Sequence, residues 1–518
     1  MNVLGYCLDV SEPEVHREIE RKLEVPGRFR LPPLGGPGTG IGEAMPLPAI
    51  RLRAEYYDTA DLRLARHHIT LRRRTGGGDS GWHLKLPHAG EATRDELQLP
   101  LSAAGNPPEP LSTLVLGVTR GAPLAPVATL STVRRPVRLL DEEGHALAEL
   151  TDDRVSVTVD GKATSRFREL EVEAAPDRTA GDLEPVMAVL IAAGASESGF
   201  ASKAVRALGP RAMEPPDVAS PPPVSPDAPA AAAMQALIQR HAATFLQQDL
   251  RVRRGMPDSV HQMRVAARRL RSALKVFAPL FDEPWADQLA TELAWIGGEL
   301  GFARDREVLE RHLLSDLALM TETDTRDAVA VVERELGADQ HEAVVRVSAA
   351  MKSDRYLALL DALVAAARTP QLTAAATAPA AEALPPLMRA AWKRLARSVA
   401  NLRRKGPDEP WHRARIRAKH ARYAAEALTP VFGKPAKRLA AQLEVVTELL
   451  GRHQDASVAA EIAAELAAGN GVGGKAGYCL GLLYDQQRDE VRRVRRKMAK
   501  VWPDIAHPRW RRWLRARK

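Results

Sequence analysis

The chain has 518 residues, too many for one ordinary hydrophobic core, and its composition excludes several classes of protein. Lys and Arg (74) outnumber Asp and Glu (65), so the net charge of +9 indicates an anionic partner. Two cysteines, Cys7 and Cys479, exclude a disulfide scaffold and favour a reducing, cytoplasmic location. The acidic N-terminus and the absence of a long apolar run predict neither a signal peptide nor a membrane span. The low aromatic content, 4%, argues against nucleic-acid binding by base stacking.

Residues up to about 208 are predicted to form strands separated by turns. Glu18, Glu20 and Lys22 fall on one face of the first strand, and Ile19 and Leu23 fall on the other. Taken alone, this alternation is typical of the solvated face of a sheet. It recurs, however, in segments that carry Arg72 and Arg74, Lys85, Arg94 and Glu96, and Glu169, Glu171 and Glu173.

The charges on these faces are sorted by sign along the chain. Acidic residues lie at 18–20 and 169–173, and basic residues lie at 72–74, 85 and 94. The pattern predicts an α+β domain: an antiparallel β-barrel with a polar tunnel and an apolar outside covered by helices, one of them near 182–193. Basic groups that face a few carboxylates suit a polyanion held with a divalent cation.

The motif Glu18-x-Glu20-x-Lys22 matches the ExExK signature of the CYTH domain, the triphosphate tunnel metalloenzymes. The supporting motifs follow in the family's order: Tyr56-Tyr57-Asp58-Thr59, Leu71-Arg72-Arg73-Arg74, Leu84-Lys85-Leu86-Pro87, Arg94 with Glu96, Thr132-x-Arg134, Glu149 with Asp152, Glu169-Leu170-Glu171, and Ser202-Lys203. Residues 1–209 therefore resemble a CYTH domain. A Pro/Gly-rich insertion near 31–49 and the pair His67-His68 depart from the family's pattern.

The resemblance implies metal-dependent hydrolysis of inorganic tripolyphosphate or a related triphosphate. The implied ligands of Mg²⁺ or Mn²⁺ are Glu18, Glu20, Glu149, Asp152, Glu169 and Glu171. The implied phosphate-binding residues are Arg72, Arg74, Lys85, Arg94, Arg134 and Lys203, and the implied catalytic residues are Lys22, Lys85 and Glu171. The family also allows adenylate cyclase, thiamine triphosphatase and RNA triphosphatase activity.

The second part of the chain is predicted to be helical and duplicated. Residues 210–231 are rich in Pro and Ala, which is typical of a semi-extended linker. From about 232 onward, Ala, Leu, Arg and Glu recur at helical period, and a second Pro/Ala-rich break at 369–386 separates two repeats, about 232–368 and 387–515. We expect an all-α bundle with internal duplication.

Each repeat carries a stripe of basic residues at the spacing i, i+3, i+7, i+10. The stripes consist of His261, Arg264, Arg268 and Arg271 in the first repeat and of His412, Arg415, Lys419 and Arg422 in the second. Arg269 and Lys275 extend the first stripe. Like charges on one helix face repel each other unless an anion binds between them. The alternative is a solvated basic face, or ion pairs with Asp305 and Asp455, which follow the two stripes at matching distances.

Residues 232–518 resemble the CHAD domain, a helical, duplicated module that often follows a CYTH domain. The resemblance implies that the two stripes, with Arg269 and Lys275, bind long-chain polyphosphate. The leading hypothesis is therefore a cytoplasmic triphosphatase whose helical half binds polyphosphate, with association with polyphosphate granules as an extension. The alternative is a non-catalytic polyphosphate-binding protein. The basic, Trp-containing C-terminal tail is expected to be solvated.

Overall fold

The structure is a computed structural model that describes residues 14–35, 39–87, 93–101, 105–320, 324–469 and 472–515. These residues form two compact units, which divide between Asp217 and Val218. The division falls inside the Pro/Ala-rich segment 210–231. Because Asp217 is buried and pairs with Arg66 and Arg120, the beginning of that segment is fixed to the first unit.

The first unit is an antiparallel barrel. Its strands are β1 (Glu14–Glu24), β2 (Glu43–Pro46), β3 (Ile50–Asp58), β4 (Thr70–Thr75), β5 (Gly81–Pro87), β6 (Thr93–Leu99), β7 (Ala125–Leu140), β8 (Ala146–Val159), β9 (Lys162–Ala174) and β10 (Ser196–Glu197). Eight of them follow the order β1-β6-β5-β4-β3-β7-β8-β9, and β1 also pairs with β9, which closes the sheet. The short strands β2 and β10 extend β7 and β1. The predicted barrel is confirmed.

The strand register determines which side chains share the interior of the barrel. Residues directly opposite each other in paired strands lie on the same face. Lys22 pairs with Glu171, Lys85 with Glu96, and Arg134 with Asp153, so all of these side chains point to one side of the sheet. We call the space that they enclose the tunnel.

The outside of the barrel is apolar where helices cover it. The helices of this unit are α1 (Arg63–Arg66), α2 (Glu109–Leu114), α3 (Leu116–Thr119), α4 (Glu184–Ala192) and α5 (Lys203–Leu208). Leu23, Leu170 and Val172 pack against Val186 and Leu190 of α4, as the sequence predicts for a helix near 182–193.

Helix α5 enters the barrel itself. Ala204 packs in one buried cluster with the inward-facing side chains Tyr56, Leu130 and Val157. Ser202 caps the helix, since its hydroxyl accepts a hydrogen bond from the backbone N–H of Val205 at 3.2 Å. One end of the tunnel is therefore filled by apolar side chains, and the first residue of α5 faces the charged remainder.

The described residues of the second unit form mainly helices. They are α6 (Ala230–Arg253), α7 (Ser259–Val276), α8 (Glu283–Ala318), α9 (Arg326–Lys352), α10 (Asp354–Arg368), α11 (Ala380–Ala400), α12 (Glu409–Phe432), α13 (Lys434–Ala467) and α14 (Gly474–Ile505). The order α6–α9 is repeated by α11–α14, and the basic stripes lie on the equivalent helices α7 and α12. The predicted duplication is confirmed at the level of helix order.

The two Pro/Ala-rich breaks meet in space. Pro229 and Pro379 form an isolated antiparallel bridge, and the N–H of Ala230 donates to the carbonyl of Ala378 at 2.8 Å. Ala380 returns an equivalent 2.8 Å bond to the carbonyl of Ala228. The starts of the two repeats are thus held side by side.

The end of the chain packs on the helices. Residues Pro508–Leu514 form a short 3₁₀ helix in which Leu514 is buried and the Trp513 ring lies 5.1 Å from that of Phe432. The expectation of a solvated tail is wrong for this segment, because its apolar side chains are covered. None of the described helices is long and apolar enough to cross a membrane.

Candidate active site and candidate anion-binding helices

One wall of the tunnel is acidic. Strands β8, β9 and β1 are neighbours, and they place Asp153, Glu169, Glu171 and Glu20 on the inner face. The side chains of Asp153 and Glu169 are fully or almost fully buried, and those of Glu20 and Glu171 are mostly buried. Such a concentration of carboxylates requires compensating charge.

Lysine side chains supply this compensation. Nζ of Lys203, at the start of α5, lies 3.0 Å from Asp153, 2.8 Å from Glu169 and 2.7 Å from Glu171. Nζ of Lys22 lies 2.9 Å from Glu20 and 3.8 Å from Glu171. Each ammonium group is shared by several carboxylates.

Guanidinium groups continue the charged lining, from Arg134 of β7 beside the acidic wall to Arg72 and Arg74 of β4 across from it. Arg134 donates to both carboxylate oxygens of Asp153, at 2.9 and 2.7 Å, and to Glu171 at 3.1 Å. Arg72 pairs with Glu96 at 3.4 Å, and Arg74, which is buried beside these guanidinium groups, pairs with Asp79. Burial and the neighbouring Arg72 and Arg134 lower the pKa of Arg74. The crowding of cations around Arg74 is a condition that a bound anion would relieve.

The acidic side chains differ in protonation because their surroundings differ. Burial raises the pKa of Glu18 to about 8, although the neighbouring Lys85 opposes the shift. Burial also disfavours the charged form of Glu20, but Lys85 and Lys22 outweigh it and lower the pKa of Glu20 to about 2. For Glu171, Lys203 and Lys22 overcome burial and hold the pKa well below its usual value.

Asp152 is the site prediction that the geometry does not support. It lies on the outer face of β8, where Arg168 grips both its carboxylate oxygens at 2.7 and 2.8 Å. Asp153 occupies the tunnel in its place. Residues three apart cannot share one face of a regular strand, so Glu149 and Asp152 could not both point inward.

Two further predicted residues lie toward the limits of the charged region. Glu149 is exposed and is opposite Glu173 in the β8–β9 register, whereas Nη2 of Arg94 donates to the carbonyl of Ala201 at 2.5 Å. Arg94 therefore has its guanidinium at the loop before α5, close to Lys22, which reaches the same carbonyl at 3.3 Å.

Glu96 and His83 line the tunnel and were not among the predicted site residues. Nδ1 of the fully buried His83 lies 2.9 Å from Glu96, and Nε2 lies 3.0 Å from the carbonyl of Asp79. This arrangement holds Glu96 beside Arg72 and Lys85. The strict alternation of β5 and β6 in the sequence contains the signal for both residues.

The tunnel residues fit a hard divalent cation. The donor set consists of carboxylates, the ligands that Mg²⁺ and Mn²⁺ prefer. Oε1 of Glu169 is buried and lies 2.8 Å from Nζ of Lys203. A divalent cation that displaced this ammonium group would find a buried carboxylate oxygen as its ligand.

In the second unit, α7 and α12 pack together and bring parts of the two basic stripes into one cluster. Its members are Arg264, Arg268, Arg415 and Lys419. Burial and the charges of Arg415, Arg268 and Arg264 lower the pKa of Lys419 to about 7, although Asp455 opposes the shift. Asp455 is 3.9 Å from Arg415, as one of the predicted ion pairs requires, while the side chain of Asp305 lies outside the described residues.

The remaining stripe residues are distributed around this cluster. Arg269 pairs with Glu426 at 2.9 Å, and Arg422 bonds to Glu426 at 2.6 Å and to Glu444 at 2.5 Å, so carboxylates neutralise both. The structure does not bring the other predicted residues into the centre of the cluster: His261, Arg271, Lys275 and His412 are exposed. Nδ1 of His412 lies 2.7 Å from the amide oxygen of Gln454.

The fold and the two sites define a two-part protein, with a charged tunnel barrel followed by a duplicated helical module. A family model described as the CYTH domain matches residues 16–184, and one described as the CHAD domain matches residues 236–464. The chain belongs to the family of proteins in which a CYTH domain precedes a CHAD domain.

Similar proteins include two uncharacterized proteins of Mycobacterium tuberculosis, from strains CDC 1551 and H37Rv. Each is 34% identical over 514 residues, which cover 95% of this chain and 96% of the relative. Among solved structures, PptA from Streptomyces chartreusis is 28% identical with a TM-score of 0.47 and covers 53% of this chain and 100% of its own. The CHAD domain from the plant Ricinus communis is 27% identical with a TM-score of 0.43, and the match covers 57% of this chain and 96% of that structure's chain.

Proposed function

We propose that the barrel hydrolyses inorganic tripolyphosphate or a related triphosphate with Mg²⁺ or Mn²⁺, and that the helical unit binds long-chain polyphosphate. The observation that carries the proposal is the opposition of two walls in one tunnel. Glu20, Glu169 and Glu171 stand on one side, and Arg72 and Arg74 of β4 stand on the other. A triphosphate bound with a divalent cation matches both walls at once.

The proposed metal ligands are Glu18, Glu20, Glu169 and Glu171, with Asp153 in the place predicted for Asp152. A bound divalent cation would neutralise phosphate oxygens and lower the pKa of a bound water molecule. Lys22, Lys85 and Lys203 neutralise these carboxylates in the structure. When metal and substrate are bound, the same ammonium groups would donate hydrogen bonds to phosphate oxygens.

The guanidinium groups hold the substrate. Arg72, Arg74 and Arg134 are largely buried, and a planar guanidinium group can donate two hydrogen bonds to one phosphate. Phosphoryl transfer needs charge neutralisation and alignment more than covalent chemistry. Burial of the cations strengthens both effects, because few water molecules compete for the phosphate.

The carboxylates distinguish this proposal from simple anion binding. Four or more acidic side chains that face a ligand would weaken the binding of a polyanion unless a metal ion stood between them. A tunnel that only gripped the end of a polyphosphate chain would gain nothing from Glu20 or Glu171. The enzyme is therefore preferred over the non-catalytic alternative.

The proposal is tested by measuring phosphate release from tripolyphosphate with Mg²⁺, with Mn²⁺ and with EDTA, beside ATP and long-chain polyphosphate. We expect metal-dependent release, and we expect Glu20→Gln and Glu171→Gln each to lower it by about a hundredfold, since loss of a charge weakens metal binding and positioning. Glu142→Gln, at an exposed turn, is the matched control. Wild-type rates in both tunnel variants would refute the metal assignment.

A further inference from the structure

A large groove of about 970 Å³ is lined mainly by outer-face residues of the barrel strands, and the inward-facing Phe167 and Arg206 of α5 also contribute to it. Its floor is formed by three consecutive residues from each of β3, β7, β8 and β9. Arg53, Ser131, Ser156 and Arg166 are opposite one another in register, and all four are exposed. Because they alternate with inward-facing residues, their side chains point away from the tunnel.

Arginine dominates the groove. The lining contains four hydroxyl-bearing residues and no carboxylate among the residues that the structure describes there, and its six arginines are Arg51, Arg53, Arg154, Arg166, Arg168 and Arg206. Arg51, Arg154 and Arg166 are exposed, and no ion pair joins any of them to another described residue. A concave surface lined by positive charge raises the local concentration of anions.

The arginines at the edge of the groove are held in place. Arg168 is bound to Asp152 through two hydrogen bonds and donates to the carbonyl of Phe29 at 2.7 Å. The guanidinium of Arg206 lies 4.3 Å from the centre of the Phe167 ring. These contacts order Arg168 and Arg206, and the exposed arginines beside them extend from the paired strands β3, β8 and β9.

We propose that this groove binds a segment of inorganic polyphosphate outside the tunnel. Arginine forks and the hydroxyl groups of Ser131 and Ser156 are suited to phosphate oxygens. Phe167, the aromatic residue in the described lining, alternates with Arg166 and Arg168 toward the barrel interior, where Arg206 covers its ring, so the described outer face offers no stacking platform for bases. The choice of polymer rests on the proposed function, whereas the exposed arginines of the site lie on the strand face that points away from the tunnel.

The first test is protection of arginines from phenylglyoxal in the full-length chain, followed by mass spectrometry. Saturating long-chain polyphosphate is expected to slow modification of Arg51, Arg154 and Arg166. Arg17 and Arg326, exposed residues outside the groove, should react as before. Unchanged reactivity of the three groove arginines would overturn the proposal. Stronger protection by single-stranded RNA at equal phosphate concentration would overturn the choice of polymer.

The second test measures polyphosphate affinity in a chain that also carries R264Q/R415Q, so that the helical unit does not mask the groove. Adding R51Q/R154Q/R166Q should weaken binding about tenfold, because three surface charges are lost. Adding R17Q/R211Q/R326Q removes the same charge elsewhere and should have little effect. Equal losses in the two variants would count against the groove. The groove variant should hydrolyse tripolyphosphate at the wild-type rate. If the wild type itself did not hydrolyse tripolyphosphate, the proposed function would be refuted, but the proposed groove would not.

Discussion

Lys203 shows how a single residue controls the charge of the tunnel. Its ammonium group lies within 3.0 Å of three carboxylates from two strands, and the residue is itself largely buried. These contacts outweigh burial and raise the pKa of Lys203. The lysine occupies the position between carboxylates at which a divalent cation would compete with it.

We expect Lys203→Met to destabilise the protein and to increase its stabilisation by metal. Removing one partner from a buried cluster of charges costs about 3–5 kcal/mol of unfolding free energy. Thermal unfolding in EDTA should show this loss, and Mn²⁺ should restore more stability to the variant than it adds to the wild type. Lys162→Met, at an exposed position of β9, is the control. Equal metal effects in K203M and wild type would contradict the expectation.

Lys419 gives the helical unit a predicted dependence on pH. Its pKa of about 7 means that the unliganded side chain loses its charge as the pH rises through neutrality. A bound polyanion favours the charged form and so raises the pKa, and binding takes up a proton. Affinity for polyphosphate should therefore be highest below about pH 7 and fall by up to about tenfold for each pH unit above it.

The measurement is polyphosphate affinity from about pH 6 to pH 8 for the wild type, Lys419→Arg and Lys419→Gln. The arginine variant stays charged and should bind with little pH dependence over this range. The glutamine variant should bind more weakly and also lose the dependence. A wild-type profile as flat as that of K419Q would show that Lys419 does not take part.

The sequence predicts which face of the sheet a side chain lies on wherever polar and apolar residues alternate strictly along a strand. The period of two places Glu18, Glu20 and Lys22, and likewise Glu169 and Glu171, on the tunnel side, as the structure shows. The interpretation failed at Asp152, where a family motif was preferred to the period. Asp153, two residues from Thr151, follows the period and is the residue that reaches the tunnel.

At the scale of elements, helix α5 could not be placed from the sequence. Six residues, Lys203–Leu208, carry too little pattern to reveal that they fill a barrel. Their position depends on long-range packing against β3, β7 and β8, through Tyr56, Leu130 and Val157. The basic stripes, in contrast, were visible in the sequence, because their spacing predicted the cluster that contains Arg264 and Lys419. The sequence did not predict that Glu426 neutralises Arg269 and Arg422.

Arg495 joins α14 to the loop before α12. The nearly buried guanidinium donates to His453 at 3.0 Å and to the carbonyl of Gly406 at 2.8 Å, pairs with Asp408, and lies 5.1 Å from the centre of the Trp411 ring. The start of α12, which carries the second basic stripe, is therefore supported from a neighbouring helix.

We expect Arg495→Met to lower the free energy of unfolding by about 2–4 kcal/mol, because the carbonyl groups of Arg404 and Gly406 lose this donor and Asp408 loses one of its cationic partners. Denaturant unfolding measures the change. Arg493→Met on the same helix removes an exposed guanidinium and should alter stability by no more than about 0.5 kcal/mol. Comparable losses in the two variants would show that Arg495 contributes no special support.

At the scale of the whole molecule, the positive charge falls on surfaces of different chemistry. The tunnel combines cations with carboxylates, whereas the cluster of α7 and α12 is mainly basic. Under the proposed function, the first surface acts on a phosphate terminus and the second holds the polymer. A chain held by the helical unit would present its ends to the tunnel at a raised local concentration.

This division of roles predicts that R264Q/R415Q affects one substrate and spares another. Hydrolysis of tripolyphosphate should be unchanged, because the short substrate needs only the tunnel. For long-chain polyphosphate, kcat/KM should fall by about tenfold or more while kcat at saturation is retained, since tethering acts through local concentration. R334Q/R493Q, which removes two exposed arginines elsewhere in the same unit, is the control. Equal losses on both substrates would mean that the helical unit affects catalysis in the tunnel and not the local concentration of polyphosphate. An unaffected rate on long-chain polyphosphate would mean that the two units act independently.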